Sequence, residues 1–335
     1  VTTRQHPIGS GFTAASTATD VLAGVDLSGR EVIITGGHSR LGREVTRSLV
    51  TAGASVTVAA RDPQRAAAIL TDITNADDIN GLGGVQVKRL DLADPASIEA
   101  FAQRWQKADR ALHALVNNAA MLFAPERRLD ARGNELSFAT THLGHFQLTR
   151  ALLPALRLAG SARVLTTTSG AARFGSIRWD DLSFRSGYDA GAAYAQSKLA
   201  NVLFTVELDR RYADDGIRAF AAHPGVVIGP GPHAPSAVAN YRAQGLVDDD
   251  GATVIDPAAG KKTAEQGAAT LVFGAVSPLL DGTGGVYLKD SDIAVLDNSE
   301  RPLTRDSIPS DANAAMLDSE DARRLWTITE RLLVP

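Results

Sequence analysis

Three observations predict an α/β fold, a doubly wound, seven-stranded parallel sheet flanked by helices on both faces. From residue 30 onward, short apolar strand-like runs alternate with helical patterns at the spacing of βαβ units, which calls for a parallel sheet covered on both sides. The first run passes through Gly36-Gly37-His38-Ser39-Arg40-Leu41-Gly42 into a helix. Strand, glycine turn and helix in that order form a phosphate-binding unit, because a helix N-terminus presents free N–H groups and a positive dipole end. At 335 residues, 44% of them hydrophobic, the chain is long enough to bury a large core.

The elements follow in order. Residues 1–29 are polar and without a clear period, an expected N-terminal arm with a short helix near Ser16–Ala23. Strands are expected at Glu31–Thr35, Ser55–Ala60, Val85–Leu90 and Leu112–Val116, then at Arg163–Thr168, Ile217–Ala222 and Gly285–Leu288. Helices are expected at Leu41–Ala52, Pro63–Thr74, Pro95–Lys107, Arg132–Leu158, Ala190–Leu208, Thr263–Val276 and Ala312–Leu333. Pro63 is placed at a first turn. No composition shift or internal repeat divides residues 30–335, so a single domain is expected. The Gly- and Pro-rich stretch 224–262 is long for a loop in a compact domain and is expected to form a substrate lid, with a short helix at Ser236–Gln244.

Composition excludes several classes. With 34 basic and 38 acidic residues the net charge is −4, against the basic excess of a general nucleic-acid or membrane-surface binder. There is no cysteine, which removes disulfides, thiolate metal sites and cysteine nucleophiles. No secretory signal pattern or membrane-length apolar stretch is visible, so a cytoplasmic protein without an anchor is expected.

The chemistry concentrates in Ala190–Leu208, where Tyr194 and Lys198 stand four apart and so share a helix face. Such a pair is either two polar residues on the rim of an amphipathic helix or a phenol poised by an adjacent cation to donate a proton. At the end of the second strand, Ala59-Ala60-Arg61 offers no acid for a ribose 2′-hydroxyl. Arginine there suits a 2′-phosphate, favouring NADP(H) over NAD(H); the alternative is a solvated surface arginine.

These pieces together resemble the short-chain dehydrogenase/reductase family, and within it the branch of retinol dehydrogenases and the WW-domain oxidoreductase. The matching motifs run from Thr35 to about Asp292. They are Thr35-Gly36 through Gly42, Asp91-Leu92, Asn117-Asn118-Ala119, His142-Leu143-Gly144-His145-Phe146, Ser169, Tyr194 to Lys198, and His223-Pro224-Gly225-Val226-Val227. Ala195–Phe204 and the 25 residues from Ser169 to Tyr194 fit that branch closely. The resemblance implies a Rossmann-type fold and an NADP(H)-dependent enzyme that interconverts a ketone or aldehyde and an alcohol. It implies Tyr194 as general acid, Lys198 lowering the phenol's pKa and holding the nicotinamide ribose, and Ser169 bonding the reacting oxygen. It places Thr141 where the family has a catalytic asparagine. It assigns cofactor contacts to Gly36, Ser39, Arg40, Leu41, Gly42, Arg61, Asp91, Leu92, Asn117, Ala119, Pro224, Gly225 and Val227, besides Tyr194 and Lys198.

Four departures stand out: Arg40 and Ala120 replace glycines, Thr141 replaces asparagine, and Gly229 replaces a threonine that contacts the nicotinamide amide. They leave room for a redox-neutral epimerase or dehydratase using the same site, or a catalytically impaired nucleotide-binding regulatory protein. His142 and His145, three apart on a helix, lack a third metal ligand, so no metal is expected. Asp248-Asp249-Asp250-Gly251 lacks the spacing of a calcium loop and reads as a solvated turn. Phe174, Trp179, Phe184 and Tyr188 are expected to form a substrate wall, pointing to a medium-sized, largely apolar substrate. Family members occur as oligomers paired through their long helices, as monomers and as membrane-attached proteins, so a homo-oligomer is one allowed state.

Overall fold

The computed structural model describes residues 4–74, 84–121, 124–229, 235–304 and 307–333. The first half runs α1 (Ala18–Val21), β1 (Glu31–Thr35), α2 (Arg40–Thr51), β2 (Ser55–Ala60), α3 (Pro63–Ile69), α4 (Thr71–Thr74), β3 (Gly84–Arg89), α5 (Pro95–Lys107) and β4 (Ala114–Asn117). The second half runs α6 (Leu136–Phe138), α7 (Gly144–Leu158), β5 (Ala162–Thr167), α8 (Ala190–Tyr212), β6 (Ile217–His223), α9 (Pro235–Ala243), α10 (Ala264–Val276), β7 (Val286–Lys289), β8 (Asp292–Ile293) and α11 (Ser319–Leu332).

The sheet order is β3-β2-β1-β4-β5-β6-β7-β8. All pairs are parallel except β7–β8. The doubly wound α/β sheet therefore has eight strands where seven were expected. The eighth is a two-residue antiparallel return, turned at Asp290 and Ser291 with φ of 53° and 59°. Two residues carry no legible strand period. The strand order reverses between β1 and β4, and that switch point opens a crevice at the strands' C-terminal ends.

Both faces are covered, as continuous apolar strands require. On one side Val45 and Leu49 of α2 and Leu271, Val272 and Phe273 of α10 pack on Val32, Val58 and Val116. On the other, Ile98 and Phe101 of α5, Leu148 and Leu152 of α7 and Phe204 of α8 pack on Ile33, Leu115 and Val164. Helix α8 is buried almost all round, from Ala195 to Asp209, because α11 and residues 170–174 cover the side turned from the sheet. An amphipathic rim helix it is not.

Caps explain most boundary differences. Leu70 closes α3, so the helix expected over Pro63–Thr74 falls into two pieces. The helix expected from Arg132 starts only at Leu136, because the Glu135 carboxylate accepts from the Ser137 and Phe138 amides. It then passes through a π-helical turn, Ala139–Leu143, before α7. Asp318 caps α11 and delays it past Ala312.

The N-terminal segment reaches across to the β7–β8 edge. Gln5 receives the Tyr287 amide at 2.9 Å and donates to the Tyr287 and Ala294 carbonyls at 2.8 and 2.7 Å. Asp292 accepts from the Ile8, Gly9 and Ser10 amides. Gln5 thereby satisfies one N–H and two carbonyls at that edge.

Candidate active site

Ser169, Tyr194 and Lys198 converge at the C-terminal ends of β5 and β6. Ser169 caps the short 3-10 turn Gly170–Phe174, its hydroxyl accepting from the Ala171 amide at 3.2 Å. The turn is steadied by His223, whose Nδ1 accepts the Gly170 N–H at 3.1 Å. Ser169 also hydrogen-bonds the half-buried Tyr194 phenol. Burial pushes that phenol above its ordinary pKa while the Ser169 bond opposes the rise. The net position of the phenol is above its ordinary value because burial dominates.

Lys198 is 3% exposed, its Nζ lies 5.6 Å from the centre of the Tyr194 ring and donates to the Thr167 carbonyl at 3.1 Å. Burial without a carboxylate partner pulls its pKa from 10.5 down to about 8. A rim lysine would feel no such pull, so the pair belongs to the interior.

Thr141 lies in the π-helical turn and is 0% exposed. Its hydroxyl accepts from the Met121 amide at 3.3 Å, tying the turn after β4 to the helix. Its carbonyl accepts from His145 Nδ1 at 2.9 Å. His145 therefore carries its proton on Nδ1, and Nε2 accepts from the Thr35 hydroxyl at 2.8 Å. Thr35 Oγ1 in turn accepts the Asn118 and Ala119 amides at 2.9 and 3.0 Å. One threonine thus locks the ends of β1 and β4 and α7 together, a role no spacing rule signals. His142 bonds Thr329 at 3.0 Å. Among the described residues no group of three or more His, Asp or Glu converges to hold a metal.

The phosphate turn is shaped by absent side chains. Gly36 has φ of 63°, and a Cβ at Gly42 would meet the Gly37 Cα and Ser39 Oγ at 2.9 Å. Ser39 caps α2 and accepts from the Gly42 amide at 3.2 Å, with no acid in the first turn to repel an anion. At the end of β2, Arg61 lines an open recess of about 630 Å³ with Asp62, Pro63, Gln64 and Arg89. Arg89 was not expected there. Its register opposite Ala60 across β2 and β3 puts it beside Arg61, a pairing visible only once the strands are aligned. This cradle, dipole end and pair of guanidinium groups fit a phosphorylated dinucleotide.

Asn117 requires a correction. Its side chain is 1% exposed and its amide donates to Thr149 at 3.1 Å, facing α7 instead of the cleft. The neighbouring Asn118 faces the phosphate turn, its amide donating to the Thr35 carbonyl at 3.1 Å. Half-buried Asp91 accepts from the Ala93 amide at 3.0 Å and shapes the turn in which Leu92 is buried.

The segment expected as a lid is stitched at its base, since Val226 pairs with Lys261 where the excursion leaves and returns. Residues 230–234 of it lie outside the described residues. Its acidic run is a hydrogen-bonded turn, Asp248 accepting from the Asp250 and Ala252 amides. The aromatic wall expected between Ser169 and Tyr194 does not form as such. Phe184 is 2% exposed beneath Arg178, Trp179 packs under Arg324, and the Tyr188 hydroxyl is held by the Ala124 carbonyl at 2.8 Å. Phe174 alone of the four is open, at 51% exposure.

Residues 30–231 match the family model described as short chain dehydrogenase. A Streptomyces antibioticus protein named "probable oxidoreductase" is 42% identical over 304 residues, 90% of this chain and 97% of that protein. Human retinol dehydrogenase 14 is 32% identical over 320 residues, 91% of this chain and 86% of its own length. A crystal structure of an uncharacterised Mycobacterium paratuberculosis protein superposes with a TM-score of 0.67 at 31% identity, covering 95% of this chain and 97% of that one.

Proposed function

This chain belongs to the short-chain dehydrogenase/reductase family and resembles its retinol dehydrogenase branch, and from that premise we propose that it is an NADP(H)-dependent oxidoreductase interconverting a ketone or aldehyde and an alcohol. The observation that carries the reading is the Ser169–Tyr194 hydrogen bond beside buried Lys198, at the crevice of the sheet. The nicotinamide, when bound, supplies or takes up a hydride. In reduction, negative charge grows on the carbonyl oxygen; Tyr194 Oη gives its proton to that oxygen while the Ser169 hydroxyl donates a hydrogen bond to it. The raised phenol pKa keeps Tyr194 protonated at neutral pH, as an acid must be. Lys198, still cationic below about pH 8, stabilises the phenolate left behind. Thr141 positions the turn after β4 through its bond to the Met121 amide.

Arg61 and Arg89 support the 2′-phosphate assignment, and Gly36, Ser39, Leu41, Gly42, Leu92, Ala119, Pro224, Gly225 and Val227 are proposed to line the cofactor cleft. The lid and exposed Phe174 favour a largely apolar substrate of medium size. Among the described residues no helix is long and apolar enough to cross a membrane.

The test is a thermal-shift comparison of NADPH, NADH and no ligand, followed by a panel of carbonyl compounds watched for NADPH oxidation. A ligand of the folded state raises the melting temperature by mass action. Arg61→Ala is expected to weaken NADPH about 10-fold or more, the worth of a charge-assisted phosphate bond, and to leave NADH nearly unchanged. Equal losses refute the 2′-phosphate assignment. Binding without oxidation of any substrate favours the redox-neutral or the regulatory reading.

A further inference from the structure

Arg173 lies in the 3-10 turn Gly170–Phe174 that Ser169 caps, and its side chain is only 5% exposed. It reaches into a segment beyond residues 30–231, the stretch that matches the family model. Nη1 donates to the Asp297 and Asp311 carbonyls at 2.7 and 3.1 Å, and Nη2 donates to the Ser299 carbonyl at 2.5 Å. Asn313 answers from the same segment, its side-chain amide donating to the Arg173 carbonyl at 3.3 Å. The Asp297 carboxylate stands 3.5 Å from Nη2 and is held more closely by Arg301, at 2.8 Å. A buried guanidinium destabilises a fold unless its donors are matched. Three carbonyls on two arms of one segment match them here, an arrangement that suits a planar fork better than a point charge.

The segment is itself fixed to the sheet. Its arms pair at Leu296 and Ala312, Lys289 of β7 holds Asp311 at 3.0 Å, and the Tyr287 hydroxyl donates to the Ser310 carbonyl at 3.0 Å. Ser310 also backs the turn directly, since a Cβ on Gly170 would lie 3.0 Å from the Ser310 Cβ. On its other side the turn meets α8, where a Cβ on Gly175 would lie 2.7 Å from the Ala195 carbonyl oxygen. The Ser169 turn is thus wedged between the helix that bears Tyr194 and a segment pinned to β7. Resting on the oxidoreductase reading above, we propose that Arg173 is a positioning residue for Ser169. By binding the carbonyls of Asp297, Ser299 and Asp311 it holds the turn against that segment and so fixes the reach of the Ser169 hydroxyl toward Tyr194.

Amide hydrogen exchange and single-turnover NADPH oxidation of the full chain test it, with the best substrate of the carbonyl panel. Arg173→Ala is expected to speed exchange of the Gly170–Phe174 amides, because the turn loses its anchor. The same variant should lower the single-turnover rate about 10- to 100-fold and keep NADPH affinity within about 2-fold. In a Ser169→Ala background the substitution should cost under about 3-fold, since a hydroxyl already gone cannot be misplaced. Arg173→Lys keeps the charge and so guards against loss of folding; it should show a smaller loss with the same dependence on Ser169. Equal losses in the two backgrounds, a wild-type rate in Arg173→Ala, or exchange of the turn unchanged by either substitution would overturn the proposal. A wild-type chain that oxidises NADPH with no member of the panel instead overturns the proposed function, and the exchange rates then decide whether Arg173 holds the turn.

Discussion

Lys198 shows at the scale of one residue how the site trades stability for chemistry. Its ammonium is buried with a single carbonyl partner, and its pKa falls to about 8. The unfolded chain then binds more protons between about pH 8 and 10.5, so stability rises with pH across that window and the burial cost is fully present below it. At 1.36 kcal/mol per pKa unit the charged lysine costs about 3 kcal/mol at pH 7, while removing it takes a donor worth about 1 kcal/mol from the Thr167 carbonyl. Lys198→Met is therefore expected to be about 2 kcal/mol more stable at pH 7 and to lose most activity. Thermal melts check this, and a lower melting temperature would contradict it. Carbonyl reduction by the wild type should decline as pH rises through about 8, where Lys198 loses its charge. A rate flat to pH 10 would separate Lys198 from the proton transfer. The four-residue spacing made the Tyr194–Lys198 pair legible in the sequence. Its burial was not, because the apolar stripe gave no sign that α11 covers the opposite face of α8.

At the scale of elements, α8 is held between the sheet and α11 largely by Trp326. The indole stacks on Phe204 at 5.8 Å and 16°, meets Phe146 edge-on at 4.6 Å, and carries Arg211 above it at 4.6 Å. Trp326→Ala should cost about 3–5 kcal/mol, the usual range for deleting a buried aromatic, and loosen the helix that bears Tyr194. Denaturant titration measures the loss; a change under 1 kcal/mol would show that α11 does not brace the site. The seven parallel strands were legible because a strand covered on both faces is a continuous apolar run. The π-helical turn under Thr141 was not, since a π turn differs from an α turn by one inserted residue and has no residue pattern of its own. Arg89 and Thr35 were missed for another reason: both act across strand pairs, and register appears only when the sheet is assembled.

For the whole molecule, three buried histidines set the acid limit. Burial holds His142 and His223 near pKa 3 and His145 near 4, against 6.5 unfolded. Below pH 6.5 the unfolded chain binds protons the folded chain refuses, so stability falls as pH drops. Each histidine should cost about 2 kcal/mol between pH 6.5 and 5, together enough to unfold a domain of ordinary stability. The melting temperature is expected to fall steeply over that interval, and a flat profile to pH 5 would mean the histidines find protonated partners. The net charge of −4 says nothing of this, for the effect lies in where the rings sit. The central claim, that Tyr194 is the acid of a nicotinamide-dependent reduction, is tested most directly by single-turnover oxidation of NADPH by an apolar carbonyl substrate, comparing wild type with Tyr194→Phe. The phenol accounts for a loss of about 100- to 10,000-fold in rate with NADPH affinity retained. Equal rates in the two proteins would contradict it.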